Sequence, residues 1–278
     1  MTAIVLALLA SVAWGTSDFV GGRASQGRAV AGVMILTRPV ALVAVALVAL
    51  LGGGELVGDR WPVAVASGLA LFVGIVALYR ALAIGPMSVV APIFATGAIV
   101  PVLWGIVDGE APTAWTFVGL AVAVAGSILA ARAPSVAGER PDPRGLAFAV
   151  VAAVGIGLGL VLTDRAAEHD AVSAIVVERA TEVVLAALVL LARPSRIPAA
   201  VRRPGILPLA GVLDVTASLL FAIASRTGLL PVVSVLSSLY PVVTVLLARA
   251  LLDERLSRAQ TGGAVLTLVG VAVVAAAG

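Results

Sequence analysis

Stretches of about twenty apolar residues recur along the whole chain, each closed off by glycine, proline or charge. A helix rises 1.5 Å per residue, so about twenty residues cross a hydrocarbon layer roughly 30 Å thick. On that ruler the chain offers ten spans, approximately 2–20, 29–51, 62–82, 85–107, 112–131, 145–163, 172–192, 205–225, 229–249 and 258–277. The breaks between them include GGRASQGR, GGGELVGDR, DGEAP, RPSRIPAAVRRPG and DERLSR. Hydrophobic residues fill 61% of the 278 positions and charged residues 12%. No soluble core of that size hides so much apolar surface, and large exposed patches aggregate. Lipid hides it at no such penalty. A transmembrane barrel would need alternating segments of about ten residues, and the sequence has none. Residues 1–20 have no positive charge ahead of the apolar run, so they are expected to stay as the first helix and not to be cleaved as a signal.

Composition removes several function classes. The chain has no cysteine, which excludes disulfides, iron–sulfur clusters and thiolate zinc sites. Its one histidine, His169, falls in the loop DRAAEHD. No cofactor is implied. All eighteen basic residues are arginines, most of them between the apolar runs, which fits membrane-interface anchoring and not a nucleic-acid surface.

The longest polar break, RAPSVAGERPDPRG at 132–145, divides the spans five and five. The halves resemble each other. GPMSVVAP begins at Gly85 and GLLPVVSV at Gly228. Glu110, Gly119 and Gly126 recur as Glu254, Gly263 and Gly270, each 144 positions later. Arg38 meets Arg179, 141 positions on. Pro101 and Pro241 break the register. Five is odd, so the second half enters from the opposite side. The expected fold is an all-α membrane protein: ten transmembrane helices in two inverted five-helix repeats, 1–131 and 145–278, joined by a polar linker at 132–144.

Three features together resemble a known family. AWGTSDF closes the first span, a GE…G…G pattern enters the fifth, and DERLSRAQTGGAVLTLVG enters the tenth. The chain resembles the EamA-type transporters of the drug/metabolite transporter (DMT) superfamily over nearly its whole length. The resemblance implies a plasma-membrane permease, often an exporter of amino acids or other metabolites, with a central cavity between the halves. The sixth span has GIGLGL where the first has WGTSDF, so the aromatic part of that motif occurs once.

The charges inside the spans are the candidate site. Arg179 lies seven residues into its span and Arg38 nine, so they sit about 10 and 14 Å deep. An ionised side chain there costs at least about 2.5–3.5 kcal/mol unless it faces a wet cavity, pairs or snorkels. Glu178, Arg179 and Glu182 share one helix, with Glu182 three residues from Arg179 and four from Glu178. One arginine then faces two acids, and one acid is left short of counter-charge, as a proton carrier requires. The first repeat has Thr37 and Ala41 where the second has Glu178 and Glu182, so the acids belong to one half only. Arg38 and Arg179 are candidates to converge on a substrate anion, because guanidinium forks match carboxylate or phosphate. Each instead snorkels or bonds a helix carbonyl if it is merely structural. Asp214, with Ser218 and Phe221 on its stripe, is a candidate for substrate or proton binding, or a hydrogen-bonded structural acid. Asp18 is expected near a helix end, in water. Trp14 and Tyr240, with Tyr79 and Trp104, are candidates to stack on a substrate or to anchor at the interface. Gly119, Ala123 and Ser127 share a face fit for close helix approach, repeated by Gly263 and Thr267. Pro92, Pro101, Pro231 and Pro241 permit bending in the fourth and ninth spans.

Loops after odd-numbered spans hold thirteen arginines and loops after even-numbered spans three, which by the positive-inside rule puts both termini outside. The family resemblance implies both termini inside. The expected function is secondary transport of a small polar or amphipathic metabolite by alternating access, with proton coupling compatible but not required. A small-molecule substrate and the bilayer are the expected partners, a monomer the expected form. No P-loop, H-E-x-x-H or G-x-S-x-G motif is present, which argues against an ATP-driven or hydrolytic membrane protein. A structural or lipid-scrambling protein is the remaining alternative.

Overall fold

The computed structural model describes residues 2–27, 30–53, 55–86, 89–90, 93–94, 96–109, 113–132, 142–192, 205–228, 230–237, 239–252 and 257–277. These residues form helices, turns and short connections, with no strand among them. The helices are α1 (Thr2–Gly27), α2 (Val30–Leu51), α3 (Trp61–Ile84), α4 (Ile99–Val107), α5 (Ala114–Arg132), α6 (Pro143–Ala166), α7 (Ala171–Ala192), α8 (Leu207–Thr227), α9 (Leu230–Ser237), α10 (Tyr240–Leu252) and α11 (Arg258–Ala277).

Local chemistry sets many of the boundaries. Proline stands in the first turn of α3, α6 and α8, where a missing N–H leaves no bond unmade. The Asp142 carboxylate caps α6 by accepting from the Arg144 N–H at 2.7 Å. Gly85 and Gly228, the first residues of the paired motifs, end α3 and α8 in extended backbone.

Among the described residues, five helices are long and apolar enough to cross a membrane: α1, α2, α3, α6 and α8. Helix α7 matches them in length at 22 residues but carries Glu178, Arg179 and Glu182. Their outer faces expose Val43, Leu47, Leu50, Val150, Val154, Leu188 and Leu191, the surface that lipid covers.

Three spans differ from the expected bounds. The first runs on through Gly27, because GGRASQG continues the helix. The fourth is interrupted: a 3-10 turn at Thr96–Ala98 precedes α4, whose third residue is Pro101. The ninth is divided into α9 and α10, and α10 restarts with Pro241 as its second residue. In both cases proline sits where a helix begins and so marks a restart in place of a bend. Pro92, Glu110 and Glu254 lie outside the described residues.

The main packing pairs are α3 on α6, α1 on α8, α5 on α11 and α2 on α7. The α5–α11 crossing is reciprocal. A Cβ on Gly126 would stand 2.4 Å from the Thr267 nitrogen, and one on Gly270 would stand 2.3 Å from the Ala123 nitrogen. Gly270 is 144 positions after Gly126, and Thr267 is 144 after Ala123. Only glycine allows backbones this close. The α1–α8 and α3–α6 contacts are each tied by a serine: Ser17 Oγ donates to the Ala210 carbonyl at 2.8 Å, and Ser67 Oγ to the Gly159 carbonyl at 3.1 Å.

Candidate functional site

The charges of α7 belong to a buried cluster built from three helices. Arg179 donates to Glu182 one turn along the same helix, Nη1 to Oε2 at 2.6 Å. Arg38 arrives from α2 and donates to the same Glu182 Oε2 at 3.1 Å. Asp214, on α8, puts its Oδ2 2.9 Å from Arg38 Nη1 and 3.4 Å from Arg179 Nη1. Arg38 and Glu182 are fully buried, Arg179 and Asp214 nearly so. Two guanidiniums thus meet two carboxylates, and the group is formally neutral.

A close backbone approach makes this possible. At Gly211, one turn before Asp214, an added Cβ would stand 2.4 Å from the Thr37 carbonyl oxygen. Helices α2 and α8 touch there, next to Arg38 on one side and Asp214 on the other. Ser218, a turn further on, accepts from Arg179 Nη2 and donates to the Asp214 carbonyl at 3.0 Å. Arg38 Nη2, Arg179 Nε and Glu182 Oε1 keep no hydrogen-bond partner among the described residues. Such unmet capacity is unusual for buried polar atoms.

Glu178 goes elsewhere. Its Oε1 accepts from Thr163 Oγ1 at 2.7 Å, and Thr163 pairs with Ser67 at 2.9 Å. It lies in the α3–α6–α7 packing, apart from Arg38 and Asp214. Arg179 therefore makes its ion pairs with Glu182 and Asp214, and not with Glu182 and Glu178 as the helical spacing had suggested. The arginines do converge, but on carboxylates of the chain itself.

Beside the cluster lies a small hollow of about 30 Å³, partly open to the outside. Arg179, Glu182 and Asp214 form its charged wall, while Leu71, Ile75, Ile156 and Leu160, from α3 and α6, form an apolar one. Trp14, Phe94 and Tyr240 supply aromatic surface. The Tyr240 ring stands 4.9 Å from Phe94 and 5.9 Å from Trp14, both edge-on, and Trp14 stands 5.7 Å from Phe221. Arg38 and Glu178 do not line the hollow. Trp104 is half-exposed near one end of the fold, 5.9 Å beneath the Arg165 guanidinium.

Asp18 also lines the hollow. Expected near a helix end in water, it is instead 94% buried, since its relative exposure is 6%. The extension of α1 to Gly27 places it about 24 Å along the helix from Thr2. It makes no hydrogen bond or ion pair among the described residues. The signal was present in AWGTSDF: Trp14 and Asp18 are four apart and share a helix face.

At the end of the fold where α2 leads into α3 and α6 into α7, three ion pairs cross between elements. Arg60 pairs with Glu168, Arg165 with Asp108, and Arg226 with Asp164 at 3.2 Å. These are the three arginines of the loops after even-numbered spans, each neutralised locally. His169 is exposed at the same end. No cluster of histidine and acids among the described residues fits a metal ion.

A model of the EamA-like transporter family matches residues 1–132 and, separately, residues 143–276. The chain belongs to the EamA-like transporter family. It is accordingly a multi-pass integral membrane protein of the DMT type, and EamA-like proteins are transporters of the plasma membrane. A crystal structure of a protein 21% identical to this chain superposes with a TM-score of 0.72, covering 98% of this chain and 95% of that one. At that identity the likeness shows a shared fold. No curated protein matches the sequence.

Proposed function

We propose that this EamA-like transporter is a secondary carrier of small polar or amphipathic metabolites, working by alternating access around the hollow. Ten spans in two oppositely oriented repeats, 1–131 and 145–278 joined by 132–144, are the framework. The two separate family matches support that layout, as do the reciprocal Gly126–Thr267 and Gly270–Ala123 contacts.

The observation that carries the proposal is the hollow itself. Its walls come from both halves of the chain, Trp14 and Ile75 on one side, Ile156 and Glu182 on the other. Two halves that meet around a pocket with one charged wall are built to rock about it. Trp14, Tyr240, Arg179 and Asp214 reach the bound molecule directly. Arg38, behind the wall, holds Glu182 and Asp214 in place. Glu182 and Asp214 share their charge with both arginines. Glu182 and Asp214, on the hollow, and Glu178, beside Thr163, are the candidates for proton coupling.

The test is transport into proteoliposomes screened over amino acids, amines, sugars and nucleosides, with and without a pH gradient. At least one class is expected to enter faster than into protein-free vesicles, and Arg38→Ala is expected to abolish the difference. Folded, monodisperse protein that moves none of them would point to the structural or lipid-scrambling role.

A further inference from the structure

Arg80 and Arg144 are charges at the arginine-rich end that neither the cluster nor the hollow uses. Both are exposed, and neither forms an ion pair among the described residues. Arg80 stands four residues before the end of α3, and Arg144 is the second residue of α6. The two helix ends touch. A Cβ on Gly145 would lie 3.6 Å from the Ile84 side chain and 3.9 Å from the Ala81 carbonyl oxygen. Phe148 follows Arg144 by one turn on the same face, and the Arg80 guanidinium lies 6.0 Å from the centre of its ring. Two positive side chains are thus gathered at one seam. Asp142, the acid closest in sequence, has its carboxylate on the Arg144 N–H as the cap of α6.

The seam faces lipid. Leu71 and Ile75 are the α3 residues on the hollow, and Arg80 lies about 140–180° round the helix from them. Val73, seven residues before Arg80, is 47% exposed, and Val151, seven after Arg144, is 46% exposed. They carry the same stripes toward the membrane centre. A lipid-facing guanidinium about 6 Å inside a helix end either snorkels to water or meets a charge of the lipid itself. Here the Phe148 ring holds Arg80 at the seam, beside a second positive charge. Like charges repel, and an anion shared between them relieves the repulsion. Guanidinium forks match phosphate oxygens, and basic sites between transmembrane helices suit anionic headgroups.

From this juxtaposition we infer that the α3–α6 seam binds an anionic phospholipid, with the phosphate on Arg80 and Arg144 and an acyl chain along Val73 and Val151. The site lies outside the hollow, and the inference does not depend on what the hollow carries.

The experiment is native mass spectrometry of the full chain released from micelles that hold phosphatidylglycerol and phosphatidylcholine in equal amounts and of equal acyl length. The phosphate of phosphatidylcholine is neutralised by its own ammonium, so the pair isolates net charge. Wild type is expected to retain phosphatidylglycerol roughly fivefold or more above phosphatidylcholine. Arg80→Gln combined with Arg144→Gln is expected to bring the two lipids to parity. Arg23→Gln is the control, and it is expected to keep the preference. It removes a charge at the same end, but Arg23 donates to Gln26, whose amide reaches Leu82, about 200° round α3 from Arg80. Excess inorganic phosphate is expected to leave phosphatidylglycerol bound, because the acyl chain contributes to holding it. The wild-type ranking needs no variant, so misfolding of the double variant does not blunt the test. Equal retention of both lipids by wild type, a folded double variant that keeps the preference, or an equal loss in Arg23→Gln each overturns the inference. Displacement of phosphatidylglycerol by phosphate overturns it too, in favour of a free-anion site.

Discussion

Arg38 and Arg179, 141 positions apart in the chain, direct their Nη1 atoms at the same two oxygens, Glu182 Oε2 and Asp214 Oδ2. Each arginine reaches both acids, so the four groups act as one unit. A buried ion pair contributes little net stability against an apolar pair of equal shape, but removing one member leaves its partner exposed to low dielectric.

Arg38→Ala is therefore expected to destabilise the fold by about 3–5 kcal/mol. The double change Arg38→Met with Asp214→Leu should recover most of that loss while leaving transport absent. Thermal unfolding in detergent, read beside proteoliposome transport, checks both halves of the expectation.

Gly211→Ala tests how the cluster is assembled. The new methyl group would stand 2.4 Å from the Thr37 carbonyl, so α2 and α8 must part. A loss of about 1–3 kcal/mol is expected from overpacking, with loss of transport because Asp214 no longer reaches Arg38. Gly262→Ala is the control. Nothing lies within 4 Å of the added atom there, and replacing a helical glycine should add up to about 1 kcal/mol of stability. If both variants melt alike, the close approach at Gly211 is not what holds the cluster.

Glu182→Gln keeps the shape of the wall and removes one charge shared by both arginines. If Glu182 couples protons, uphill transport driven by a pH gradient should fail while downhill exchange persists. Glu178→Gln, off the hollow and bonded to Thr163, should leave coupling in place. Equal gradient-driven rates in Glu182→Gln and wild type would remove Glu182 from any proton path.

Orientation can be read by single-cysteine labelling, since the chain has no cysteine of its own. By the arginine count alone, the arginine-rich end is expected in the cytoplasm. A membrane-impermeant maleimide added to intact cells should then label Leu56→Cys and spare Gln26→Cys. The opposite pattern would put both termini inside.

Much of this protein was legible without coordinates. Hydropathy and length follow from the thickness of a bilayer, so the five long apolar helices found among the described residues could be placed by counting. The family could be read from AWGTSDF and the glycine spacings. The α5–α11 contact was foreshadowed by small residues on one face, although Gly126 and Gly270 make the closest approach. The interruptions before Pro101 and Pro241 were not foreseen, because a proline alone does not say whether a helix bends or begins again.

The sequence by itself determined that this chain lives in lipid, that it is helical, and which few residues carry charge there, because those properties depend on near neighbours and on a solvent of fixed thickness. Only the tertiary structure decided which charge meets which. Arg38 and Asp214 are 176 positions apart; Glu178 turns to Thr163, and Asp18 sinks into a hollow. Helix rotation and crossing settle such pairings, and those are set by contacts between distant segments, such as Gly211 on Thr37, that no local pattern records.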